Sequence, residues 1–146
     1  MTIVEITATA VMALAMAFLS VEDIRFKSIN IIAGFALAAA MAGFSFWHGN
    51  DAVKLVVGCI PGIVAAVLSA VTRGKLGIGD AIVILAVGIW CGIDKTGLIM
   101  MIALVCAALT AAVLLIIKKA TRKTALPFIP FIFAGYITCE ILSRLQ

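Results

Sequence analysis

Residues 52–93 read AVKLVVGCIPGIVAAVLSAVTRGKLGIGDAIVILAVGIWCGI, and this stretch decides the fold class. It contains an apolar run at 52–71, a short basic and glycine-rich link, and a second apolar run from residue 78. A helix needs about 20 mostly apolar residues to cross a bilayer. The stretch therefore predicts two neighbouring transmembrane helices joined by a short loop.

The same pattern recurs along the whole chain, of which 65% is hydrophobic and only 12% is charged. A soluble domain needs about a quarter of its residues charged, so a soluble protein is excluded. In lipid, each segment must satisfy its own backbone groups, and this favours helices. We therefore predict an all-α bundle of six transmembrane helices that forms a single membrane-embedded domain over residues 1–146. The predicted spans are 3–21, 29–47, 52–71, 78–93, 97–117 and 127–142.

The basic residues predict how these spans are oriented. Eight of the eleven Lys and Arg residues fall on one side if the spans alternate in direction, and cytoplasmic loops carry such an excess. These eight are Arg25, Lys27, Arg73, Lys75, Lys118, Lys119, Arg122 and Lys123. The side that carries them is predicted to be cytoplasmic, and both termini are predicted to lie outside. The net charge of +4 is therefore explained by topology, and we predict no nucleic-acid partner.

Two aspartates on different spans fall on this same predicted side. Asp23 follows the first span and Asp80 opens the fourth. Taken alone, Asp23 could be an interfacial charge beside Arg25, and Asp80 could be a helix N-cap. Taken together, two carboxylates brought close cannot both ionise easily, so one would stay protonated as an acid and the other would serve as a base. Such a pair can activate water against an amide carbonyl.

Three short motifs carry a resemblance to a known family. Gly77-Ile78-Gly79-Asp80 has the form G-x-G-D, Asp23-Ile24-Arg25 with Ile29 resembles D-x-R-x-x-x-I-P, and residues 127–131 read PFIPF. Their order and their spans are similar to those of the type IV prepilin peptidases, which are membrane aspartyl proteases, over nearly the whole chain. The resemblance implies a peptidase in the cytoplasmic membrane of a prokaryote, with its active site facing the cytoplasm. Such enzymes cut the basic leader from prepilin-like substrates, namely pilins, pseudopilins and preflagellins.

The resemblance also implies roles for single residues. Asp23 and Asp80 would be the catalytic pair, and the residues that shape their site would be Arg25, Gly77, Gly79, Pro127 and Pro130. Arg25 has a simpler explanation in topology and headgroup binding, and Pro127 has one as the residue that opens a helix.

The chain departs from the resembled pattern at two positions. Asn30 stands where the first motif has Pro, and Ile82 stands where a Lys often follows the second aspartate. The Cys-rich cytoplasmic loop of the larger family members has no counterpart here, so we predict peptidase activity without methyltransferase activity, and no metal or other cofactor. The four cysteines form no C-x-x-C pair and lie in apolar runs, as buried structural cysteines do.

Alternatives from other classes remain open at this stage. Carboxylates within a membrane also mark ion or proton paths, which favours a small ion- or proton-coupled transporter. Asn30 and Ile82 leave room for a non-catalytic membrane subunit of a pilus or secretion assembly. A presenilin-like protease shares G-x-G-D but places its first aspartate within a mid-chain helix, whereas Asp23 ends the first span.

Overall fold

The computed structural model describes residues 3–26, 30–49, 51–72, 77–117 and 126–145. Every regular element in these ranges is an α-helix, as predicted. The five helices are α1 (Ile3–Phe26), α2 (Ile31–Trp47), α3 (Ala52–Val71), α4 (Ile78–Ile116) and α5 (Ile129–Leu145). By length and composition, α1, α3 and α4 are able to cross a membrane, and α2 is a shorter apolar helix.

The fourth helix covers the two segments that the sequence predicted as separate spans. It has 39 residues and is interrupted at Gly92, whose φ of 77° and ψ of 172° are not helical. That backbone conformation is essentially restricted to glycine, because a Cβ would meet the flanking peptide groups. The described residues therefore hold five helices where six were predicted, and the fourth consists of two helical segments joined at Gly92.

The surface of the bundle is largely apolar. Large side chains such as Leu14 and Phe18 are exposed by 73% and 61%. The core is built from fully buried residues of several helices, among them Met12, Ile84 and Tyr136. An apolar surface this extensive is unfavourable in water and suits the hydrocarbon of a bilayer, so the structure agrees with a membrane protein.

Glycines bring the backbones of α3 and α4 into direct contact. A Cβ on Gly58 would collide with the carbonyl group of Gly88, and a Cβ on Gly62 would lie 2.5 Å from the Cα of Leu85. Small residues allow such close approach between helices in membranes, where van der Waals packing replaces the hydrophobic effect as the driving force. Since α4 also packs against α2 and α5, it is the central helix of the bundle.

Most of the basic residues that predicted the orientation lie outside the described residues. These are Lys27, Arg73, Lys75, Lys118, Lys119, Arg122 and Lys123, and Ile29 of the first motif lies outside as well. The orientation of the bundle therefore stays a prediction.

Candidate active site

Asp23 lies in the last turn of α1 and is buried. Its side chain is 6% exposed, and its Oδ2 accepts a hydrogen bond of 3.2 Å from the backbone N–H of Ile129. The interpretation of Asp23 as an interfacial charge beside Arg25 does not account for this burial. A carboxylate near the C-terminus of a helix faces the negative end of the helix dipole, which is unfavourable. The hydrogen bond from Ile129 offsets part of this cost.

The partner of Asp23 belongs to the third motif, at the start of α5. The first four N–H groups of a helix have no partner within the helix, and that of Ile129, the first helical residue, is therefore available to Asp23. The carbonyl of Phe128 closes the first turn by accepting bonds from Phe131 and Ile132. Pro127 does not open the helix, because α5 begins two residues later. Pro130 lies in the first turn, where its missing N–H leaves no bond unmade.

Asp80 lies at the start of α4, but it is not the N-cap. Gly77 is the N-cap, and its carbonyl accepts a bond of 3.1 Å from the backbone N–H of Asp80. Asp80 is therefore the third residue of the helix, near the positive end of the helix dipole, and its side chain is 9% exposed. A Cβ on Gly77 would lie 3.1 Å from Oδ2 of Asp80, so glycine leaves room for the carboxylate. Gly79, between the two, is half-buried.

The fold brings the two aspartates together at one end of the bundle. Asp23 and Asp80 are close enough for their carboxylates to interact electrostatically across the gap between α1 and α4. Among the described residues they are the two charged side chains that are buried. Burying one charge beside another of the same sign is costly, and folds hold such pairs mainly where chemistry uses them. A shared proton would leave one carboxyl able to donate and the other able to accept, which suits activation of water.

The charged neighbours of Asp23 differ in their surroundings. Arg25 is exposed, which agrees with its explanation as a headgroup or topology residue. Glu22 is half-buried, and its Oε2 is buried without a hydrogen-bond partner among the described residues. Glu22 is helical, because α1 continues to Phe26. Neither Glu22 nor the N–H of Ile129 could be recognised from a motif.

The two departures from the resembled pattern each have a structural role. Asn30 is the N-cap of α2, and its Oδ1 accepts a bond of 3.0 Å from the N–H of Ile32. Ile82 is 8% exposed, and its Cγ2 lies 3.0 Å from the position that a Cβ on Gly34 would take. Asn30 thus caps the start of α2 with its side chain, and Ile82 packs between α4 and α2 beside Asp80.

No group of three or more His, Cys, Asp or Glu side chains in the described ranges is arranged to hold a metal ion. All four cysteines are free. No family model, curated protein or solved structure matches the chain. The case for a function therefore rests on the aspartate pair and on the motifs that surround it.

Proposed function

We propose that this chain is an aspartic endopeptidase, similar to the type IV prepilin peptidases, that cuts the basic leader from prepilin-like substrates. The observation that carries the proposal is the pair Asp23 and Asp80, the buried charged side chains of the described residues, placed within electrostatic range of each other. The PFIPF motif adds support, since the N–H of Ile129 within it binds Asp23. The motif that begins at Asp23 and the PFIPF motif thus meet at the carboxylate of Asp23, and the G-x-G-D motif supplies the carboxylate of Asp80.

The proposed reaction is hydrolysis of one peptide bond by an activated water molecule. The ionised carboxylate takes a proton from water, and the resulting hydroxide oxygen bonds to the carbonyl carbon. The protonated carboxyl gives its proton to the carbonyl oxygen, which forms a neutral tetrahedral intermediate. When the C–N bond breaks, the departing nitrogen takes a proton from one carboxyl of the pair, and a hydroxyl of the intermediate gives its proton to the other, so that the products are an amine and a carboxylic acid and the pair again holds one proton. The N–H of Ile129 keeps Asp23 oriented throughout these steps.

We place the pair at the cytoplasmic rim of a bundle of six spans, in the cytoplasmic membrane of a prokaryote. Support for six spans comes from α4. Cys91 shares a cavity with Glu140, whereas Ile99 packs on Gly135, which lies closer than Glu140 to the start of α5. A straight helix would place Ile99 about 12 Å beyond Cys91, away from Gly135. A reversal of the chain at Gly92 accounts for both contacts.

An apolar groove beside Asp80 supports a substrate that continues into the membrane. It has a volume of about 340 Å³, and all of its exposed lining is apolar. It is lined by Ile31, Phe35, Gly62, Ile63, Ala66, Ile78, Ala81, Ile82 and Leu85. A substrate cut at the membrane boundary needs an apolar surface next to the scissile bond, and the lining of this groove includes Ile78, two residues before Asp80, and Ala81, the residue after it.

Glu22 supports the choice of a basic leader. Its buried Oε2 has no hydrogen-bond partner in the part of the chain that the structure describes. A buried carboxylate oxygen left without a partner is unfavourable, and a Lys or Arg of the substrate would satisfy it. Glu22 precedes Asp23, so a cation bound there would lie next to the scissile bond.

A cleavage assay tests the proposal. The chain and a prepilin-type substrate with a basic leader are expressed together in membranes, and loss of the leader is followed by gel shift. Asp23→Ala and Asp80→Ala should each abolish cleavage while the protein still inserts. Asp51→Asn is the matched control, because Asp51 is exposed and makes no side-chain cap bond at the start of α3. Cleavage near the wild-type rate in either alanine variant would refute the assignment.

A further inference from the structure

A polar chamber lies at the end of the bundle opposite the aspartate pair. Glu5 and Asp23 are 18 residues apart on α1, which separates them by about 27 Å along the helix. The chamber has a volume of about 340 Å³, in the range of small-ligand pockets. It is lined by Glu5, His48, Trp90, Cys91, Lys95, Glu140, Ser143 and Arg144. Three helices and the C-cap residue of α2 contribute to it, and none of these residues takes part in the proposed peptidase chemistry.

The chamber holds charges of both signs on different elements. Two cations, Lys95 of α4 and Arg144 of α5, line it together with two carboxylates, those of Glu5 and Glu140. His48 Nε2 lies 3.3 Å from Glu5 Oε1, so Glu5 already has one neighbour. Glu140 lies one turn before Arg144 on α5, and both line the chamber together with Lys95 of α4. A ligand that carries both a negative and a positive group would satisfy both sets of charges at once.

A second, mainly apolar groove continues from the chamber between α1 and α5. It has a volume of about 300 Å³, and it shares Glu140 and Arg144 with the chamber. Its remaining lining residues are Ile6, Thr9, Ala10, Ala13, Tyr136, Ile137 and Ile141. A polar chamber that opens into an apolar groove along the bundle has the form of a site for a molecule with a charged head and a hydrocarbon tail.

We propose that the chamber and the groove together bind one phospholipid with a primary-amine headgroup. The phosphate lies between Lys95 and Arg144, because guanidinium and ammonium groups donate to phosphate oxygens. The ammonium donates to Glu140, and the ring of Trp90 offers its face to the same cation. One acyl chain lies along α1 and α5 over Ala10 and Ala13, whose small side chains leave the groove open. The bilayer supplies this ligand at high concentration, which favours a lipid over a soluble zwitterion.

Native mass spectrometry of the full chain, released from detergent, tests this site. The probes are phosphatidylethanolamine and phosphatidylglycerol with identical acyl chains, added at equal concentration. Wild-type protein should retain the amine lipid about fivefold better, the difference expected for one partly exposed ion pair. Glu140→Gln should remove that preference and leave retention of phosphatidylglycerol unchanged. Arg144→Gln should lower retention of both lipids.

The groove has its own variant and control. Ala10→Leu fills it and should lower retention of both lipids, whereas Ala112→Leu adds the same bulk at an exposed position of α4 and should change neither. Lys54→Gln removes a cation from the same end of the bundle outside the chamber lining and should also change neither. If Arg144→Gln is not recovered as folded protein, Lys95→Gln takes its place and should likewise lower retention of both lipids. Equal retention of the two lipids by wild type, or unchanged retention in Ala10→Leu, would overturn the proposal.

Discussion

Replacing Asp23 by Asn separates the cost of its burial from its role in chemistry. The amide removes a negative charge from the C-terminal end of α1, which relieves about 0.3–1 kcal/mol of unfavourable interaction with the helix dipole. It also removes repulsion from Asp80. Against this, the bond from Ile129 changes from a charged to a neutral acceptor, a loss of about 1 kcal/mol. We therefore expect the free energy of unfolding to stay within about 1 kcal/mol of wild type.

Activity should respond very differently. Asn cannot exchange a proton with water or with a carbonyl oxygen, so leader cleavage should fall by at least about a hundredfold, the lower end of general acid–base contributions. Unfolding is measured by denaturant titration in detergent micelles, and cleavage is measured on the same preparation with a purified substrate. A variant that loses about 3 kcal/mol or more would identify Asp23 as a structural carboxylate. Cleavage above a tenth of the wild-type rate would contradict the peptidase mechanism.

Three further substitutions test the fold and the recognition of substrate. Gly92→Ala forces an L-residue into a glycine conformation and should lower the free energy of unfolding by about 1–3 kcal/mol. Gly97→Ala should not lower it, because a Cβ at that position would point into open space. Equal effects of the two substitutions would contradict the break in α4. Gly58→Ala should lower the free energy of unfolding by about 1–3 kcal/mol, because the added Cβ pushes α3 away from α4, whereas Gly43→Ala should change it by less than about 0.5 kcal/mol. The same denaturant titration measures both variants. A Gly58→Ala variant as stable as wild type would refute the direct contact. Glu22→Gln should raise the KM for a substrate with a basic leader about fivefold and leave kcat unchanged. Wild type and variant should have equal KM values for a substrate with a neutral leader. Steady-state kinetics with the two substrates measure this, and a change in kcat alone would argue against leader binding at Glu22.

Hydropathy located the helices well and located the break in α4 less well. The predicted bounds of the third segment, 52–71, are those of α3. The sequence placed a loop after residue 93, because Asp94 and Lys95 interrupt the apolar run. Both residues are helical, since a helix tolerates isolated charges, and the interruption occurs at Gly92, where the backbone leaves the helical region. Charged residues show where a sequence is polar, whereas the position of a backbone break depends on which residue can adopt the non-helical conformation.

The motifs pointed to Asp23 and Asp80, which are buried, and they did not show how these two residues are held. Asp is a favoured N-cap, but glycine is accepted there as well, and Gly77 takes that position in α4. The bond from Ile129 to Asp23 joins residues 106 apart, and no local pattern encodes a partner at that distance. The contact of Gly58 with Gly88 was missed for the same reason, because each glycine is ordinary within its own helix.

The bond between Asp23 and Ile129 also bears on how the protein is made. A ribosome adds about 5–20 residues per second, so Asp23 is synthesised between about 5 and 20 s before the backbone N–H that it will bind. Throughout that interval α1 holds a carboxylate without this partner at its end. The contact that orients Asp23 is thus completed by α5, and a nascent protein that lacks α5 holds both aspartates without that contact. Completion of the site then follows insertion of α5, and under the proposed function leader cleavage would begin only after that step.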